Sequence, residues 1–163
     1  MLRNLAKSTL SLGRPLLTRS FIVPTRATYR PSFVSNMSTK TVINSPKLSS
    51  AGPYNQAIKA NGTIYCSGQI PVKDGKVVEG CVGTQTRQCL SNLEEVLKEA
   101  GSGLEKIVKI NIFLADMGDF ATVNKAYAEV LPDPKPARSC VAVKTLPLEA
   151  QGVKIEIECI AAE

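Results

Sequence analysis

The stretch Thr86-Arg-Gln-Cys-Leu-Ser-Asn-Leu-Glu-Glu-Val-Leu-Lys-Glu-Ala-Gly101, followed by Ile107-Val-Lys-Ile-Asn-Ile-Phe-Leu-Ala115, decides the fold class. In the first run Thr86, Cys89, Leu90, Leu93, Val96, Leu97 and Ala100 recur at spacings of three and four, the period of one helix face. Gly101 stands where a left-handed residue closes a helix. In the second run Val108, Ile110, Ile112 and Leu114 alternate with Lys109, Asn111 and Phe113, the period of two that a strand imposes. A helix packed on a sheet is the expected arrangement.

Working outward, Thr41 to Asn44 predicts a first strand, and Ala57 to Ala60 and Thr63 to Ser67 flank Asn61-Gly62, the dipeptide of a type I′ hairpin. Beyond the central strand, Asp119 is placed to N-cap a second helix whose Phe120, Val123, Tyr127, Val130 and Leu131 face a core. Pro132, Pro134 and Pro136 stop it. Two final strands are predicted, Arg138 to Leu146 and Val153 to Ala161. In them Val141 and Val143 oppose Arg138, Cys140, Ala142 and Lys144, and Ile155 and Ile157 oppose Lys154, Glu156 and Glu158. This order gives an α+β sandwich with two helices on one sheet face. The other face, with Phe113, Ala142 and Cys140 among its charges, lacks an intramolecular cover, and a second copy of the chain is the expected one.

The basic character of the chain is confined to its start. Arg3, Lys7, Arg14, Arg19, Arg26, Arg30 and Lys40 precede the first acidic residue, Asp74. Setting those seven cations aside leaves 13 Lys and Arg against 14 Asp and Glu, a net charge of −1 for residues 41–163. Residues 1–36 interleave six of these cations with Leu2, Leu5, Leu10, Leu12, Leu16 and Leu17 and carry no carboxylate, the composition of a mitochondrial transit peptide. A basic tail binding nucleic acid or anionic lipid is the alternative. Arg14 and Arg19 interrupt any secretory apolar core, and no run approaches the roughly 18 to 20 residues of a membrane span, so no membrane anchor is expected. Residues 37–163 form the expected single domain, and Met37 offers a second possible start without the leader.

The five cysteines, Cys66, Cys81, Cys89, Cys140 and Cys159, include no C-x-x-C pair and read as reduced thiols. Histidine is absent, which removes Ser-His and Cys-His nucleophile pairs and the commonest metal ligand; no metal is expected. Chemistry then falls to Arg, Glu, Tyr, Asn, Ser, Cys, backbone groups and water. If the last two strands pair, Arg138 and Cys140 would meet Glu156 and Glu158 on the polar face. That juxtaposition reads either as a cross-strand ion pair or as a fork for a substrate carboxylate. Asn124, four residues after Phe120, is either a structural hydrogen bonder or a site residue.

Five segments carry a resemblance: Ala51-Gly-Pro-Tyr-Asn-Gln-Ala57, Ile64-Tyr-Cys-Ser-Gly-Gln-Ile-Pro71, Asp119-Phe-Ala-Thr-Val-Asn-Lys-Ala-Tyr127, Pro136-Ala-Arg-Ser-Cys-Val-Ala-Val143 and Val153-Lys-Ile-Glu-Ile-Glu158. In order and without a large gap from Lys40 on, they resemble the RidA, or YjgF-like, family; the leader points to a mitochondrial, fungal member located in the matrix. The resemblance implies a chorismate-mutase-like fold with a mixed six-stranded sheet, and a homotrimer with a central barrel and sites in clefts between subunits. It implies hydrolysis of 2-aminoacrylate and 2-iminobutanoate to 2-oxo acids and ammonia without cofactor or metal, supporting isoleucine biosynthesis and mitochondrial maintenance. Matched residue by residue, Arg138 would bind the substrate carboxylate, Tyr54 would pack over it, and Glu156 would stand near the attacking water. Ser67, Gly68, Asn124 and Cys140 would line the pocket.

Two other readings come from different classes. One is RNA cleavage with translation inhibition, an activity of some relatives, against which the net charge of −1 argues. The other is a non-catalytic binding or holdase module. Beyond its small-molecule substrate and its own copies, the expected partner is the import machinery that reads the leader.

Overall fold

The structure, a computed structural model, describes residues 39–50 and 52–163. The expected transit peptide at 1–36 lies outside them. Strands β1 (Thr41–Ile43), β2 (Ala57–Ala60) and β3 (Thr63–Gln69) form an antiparallel meander. Its second turn is the predicted one, with Asn61 and Gly62 both at positive φ, 52° and 73°. A small separate hairpin follows, β4 (Val72–Lys73) and β5 (Lys76–Val77), around Asp74 and Gly75 at φ 51° and 75°. Its Asp-Gly dipeptide is the signal that could have announced it.

Helix α1 spans Val82–Glu99, starting one turn before the periodic run used to predict it. It buries Cys89, Leu90, Leu93, Val96 and Leu97 completely. Gly101 ends it at φ 79°, with Ser102 N donating to Leu97 O at 2.8 Å and Gly101 N to Lys98 O at 3.0 Å, the paired bonds of a Schellman stop. Next come β6 (Ile107–Leu114), α2 (Phe120–Val130), β7 (Ala137–Ala142) and β8 (Ile155–Ala162). Asp119 makes no side-chain cap for α2. Asp116 caps instead the short 3-10 turn that leads into it, accepting from Gly118 N at 2.8 Å.

The six-stranded sheet has the order β1-β2-β3-β8-β6-β7, with β6 and β7 parallel and the other neighbours antiparallel. The last two strands therefore do not pair, because β6 lies between them. A parallel neighbour needs a crossover, and α2 is that crossover from β6 to β7. Register then corrects the faces. Arg138, Cys140 and Ala142 stand beside Ile110, Ile112 and Leu114, all three fully buried against the helices. Arg138 and Cys140 are thus on the helix side, and Val141, 50% exposed, is on the open side. The other expected member of the open side, Phe113, is there, paired with Val141 and Glu156. Val108 departs from its expected face for a different reason. It is the extra residue of a bulge between Ile107 and Lys109, and it is 53% exposed.

Candidate functional site

Arg138 is half-buried near the start of the edge strand β7. Its Nη1 donates to Asn124 Oδ1 at 2.6 Å. The guanidinium carbon lies 5.0 Å from the ring centre of Tyr127 and 5.4 Å from that of Phe120. Helix α2 thus supplies this hydrogen bond and both ring contacts, while Nε and Nη2 have no hydrogen-bond partner among the described residues. No carboxylate pairs with Arg138 among the described residues either. The anticipated ion pair with Glu156 or Glu158 is absent because those side chains alternate with Ile155 and Ile157 onto the opposite face.

Cys140, two residues along, shares the face of Arg138. Burial pushes its thiol pKa up, against the pull of the Arg138 charge. At neutral pH the thiol is therefore protonated, a poor nucleophile. Asn124 is where the sequence placed it, and Phe120 and Tyr127, read there only as core residues, are also contacts of Arg138.

A second group forms around the middle of the sheet. Between Cys66 and Gln69 strand β3 carries two residues, Ser67 and Gly68, against one on β8, Glu158. This bulge lifts Gly68 toward Glu156: a β-carbon on residue 68 would stand 1.8 Å from Glu156 Oε1. Only glycine leaves room for the carboxylate there. Burial raises the pKa of Glu156, and the nearby Glu158 charge raises it further. Ser67 is tied to the preceding loop, its N donating to Gln56 O at 2.9 Å and its Oγ to Asn55 O at 2.7 Å. Tyr54 and Gly68 line one cleft of about 560 Å³ together with Leu48, Gln56, Ile70 and Leu148.

Gln56 is a residue that sequence reasoning missed. Its buried amide accepts from Ser45 N at 2.7 Å and donates to Leu48 O at 2.8 Å, so it staples both ends of the loop that presents Tyr54. A buried glutamine in a loop gives no periodic signal.

The predicted site residues therefore fall into two constellations. Arg138, Asn124 and Cys140 stand on the helix side at the β7 edge; Tyr54, Ser67, Gly68 and Glu156 gather around β3 and β8. One chain does not bring the two together.

The fold is an α+β sandwich whose candidate polar residues divide between a guanidinium group at the β7 edge and a carboxylate group around β3 and β8. Residues 44–163 match the family described as Endoribonuclease L-PSP. "Protein mmf1, mitochondrial" of Schizosaccharomyces pombe is 73% identical over 163 residues, covering 100% of both chains. "Reactive Intermediate Deaminase A, chloroplastic" of Arabidopsis thaliana is 48% identical over 125 residues, 75% of this chain and 65% of its own length. The crystal structure of yeast Mmf1 superposes with a TM-score of 0.71 at 46% identity, covering 77% of this chain and 99% of that one. The chain belongs to the YjgF/RidA family, and its similarity to a relative named as mitochondrial extends over the whole chain, residues 1–36 included.

Proposed function

We propose that the chain is a mitochondrial enamine and imine deaminase, working as a homotrimer whose sites join the Arg138 half of one copy to the Glu156 half of the next. The observation that carries this reading is the state of Arg138. It is fixed by Asn124 and two aromatic rings and has no carboxylate partner among the described residues, so its charge is left for an anion from outside. The open sheet face, with Tyr65 and Val141 each 50% exposed, supports association. The names of the relatives support the compartment and the deaminase class.

In this mechanism the Nε and Nη2 edge of Arg138 grips the carboxylate of a 2-imino acid such as 2-iminobutanoate or 2-iminopropanoate, the latter formed from 2-aminoacrylate. The imine carbon, already electrophilic through conjugation, is held beside a water molecule. Glu156 orients that water and takes one of its protons as the oxygen bonds to carbon. That proton passes to the nitrogen to give a carbinolamine; the proton of its new hydroxyl then follows through Glu156 to the amine, the C=O bond forms as the C–N bond breaks, and ammonia and the 2-oxo acid leave. Tyr54 packs over the substrate, and Ser67, Gly68 and Cys140 complete the wall. This route forms no covalent bond to the protein, in keeping with the protonated Cys140 thiol.

The reaction is tested by coupled turnover with threonine dehydratase, following 2-oxobutanoate. The protein is expected to accelerate its release; an unchanged rate would remove the deaminase reading. RNA cleavage is the rival named by the family description. A salt titration of RNA binding by residues 37–163 is expected to show no binding with the steep salt slope of phosphate contacts.

A further inference from the structure

Three side chains of α2 converge on Arg138, and only one of them is a hydrogen bonder. Phe120, Asn124 and Tyr127 fall four and three residues apart, so they share a helix face that points at the β7 edge. Asn124 pins one guanidinium nitrogen, and the two rings lie 5.4 and 5.0 Å from its carbon, within the range of cation–π attraction. The Tyr127 hydroxyl is buried and has no hydrogen-bond partner among the described residues. Its oxygen therefore contributes nothing to the hold on Arg138; the ring does.

We infer that Phe120 and Tyr127 are positioning residues for the substrate carboxylate, fixing the Arg138 guanidinium so that its Nε and Nη2 edge faces the site. This rests on the deaminase reading and extends it to residues that touch no substrate. An arginine side chain free to rotate would lose conformational freedom on gripping an anion, and a preoriented fork avoids that loss. The aromatic faces also attract the cation without competing for its N–H groups, leaving the free edge unpaired in the empty site.

The contribution of the rings is read in substrate binding more than in turnover. Phe120 is the better target because it is half-buried and its loss disturbs the core least. In the full-length trimer Phe120→Leu is expected to raise KM for 2-iminobutanoate about 3- to 30-fold, with a smaller change in kcat. Phe120→Tyr and Tyr127→Phe keep the ring faces and are expected to stay near the wild-type KM. In an Arg138→Ala background Phe120→Leu is expected to add no further loss, since nothing remains to be positioned.

A wild-type KM in Phe120→Leu, or an equal loss with and without Arg138, overturns the inference while leaving the deaminase reading intact. Binding of 2-oxobutanoate by calorimetry separates the two. If the wild-type protein does not hydrolyse imines yet binds 2-oxobutanoate, and Phe120→Leu weakens that binding, the positioning role stands and the deaminase reading falls. A wild-type protein that neither hydrolyses imines nor binds 2-oxobutanoate overturns both.

Discussion

Glu156 and Gly68 occupy what would otherwise be one space: Oε1 of the glutamate lies 1.8 Å from the point where a β-carbon on residue 68 would sit. The bulge that makes this contact also brings Gly68 to the wall of the Tyr54 cleft. The carboxylate is thereby held against backbone in a partly dehydrated place, and its pKa rises.

Gly68→Ala should separate folding from function. The clash falls first on the flexible end of Glu156, which can rotate away, so thermal stability is expected to move by only a few degrees. Turnover of 2-iminobutanoate is expected to fall about 100-fold, because the displaced carboxylate no longer meets the water. A variant with unchanged turnover would show that the position of Glu156 is immaterial.

The raised pKa of Glu156 makes a paired prediction of activity and stability against pH. As the base, Glu156 must be ionised, so kcat/KM is expected to decline on acidification with a midpoint above the usual carboxylate range. Stability runs the other way. A carboxyl with a folded pKa above its unfolded one binds more protons when folded, so its contribution is present at low pH and lost as pH rises through the folded value. Glu156→Gln is therefore expected to lose turnover yet melt at the same temperature as wild type, or higher, at pH 7. A lower melting temperature would mean that the charge is stabilising where it stands.

The leader carries its own expectation. Residues 1–36 fused to a reporter should deliver it to the matrix, because the early cations and the leucines between them fall within that stretch. Fluorescence microscopy with fractionation reads the result, and cytosolic retention would defeat the assignment of a transit peptide.

Elements set by local chemistry were legible from the sequence. Asn61-Gly62 demands positive φ and Gly101 supplies it, so the hairpin and the end of α1 are where they were expected. Alternation located β6, β7 and β8, but not which strands lie side by side. The strand-helix-strand order of β6, α2 and β7 held the answer, since such a unit pairs its strands in parallel. The face of Arg138 was misjudged because Val141 was assumed to turn inward. On a sheet with an uncovered side an edge valine also faces outward, and parity must be taken from the buried neighbour strand. The candidate site residues came from resemblance; that they fall into two separate groups was visible only in three dimensions.

Mixing two inactive variants tests the shared site most directly. Arg138→Ala is expected to lower kcat/KM roughly 30- to 1000-fold through loss of the carboxylate fork, and Glu156→Gln to abolish the base; both must sediment as trimers. When the two are unfolded and refolded together in equal amounts, each interface draws its arginine half and its glutamate half from different chains. About a quarter of the interfaces then combine two intact halves, and about a quarter of the wild-type rate of 2-iminobutanoate hydrolysis is expected to return. Mixed trimers as inactive as their parents would contradict a site completed between subunits.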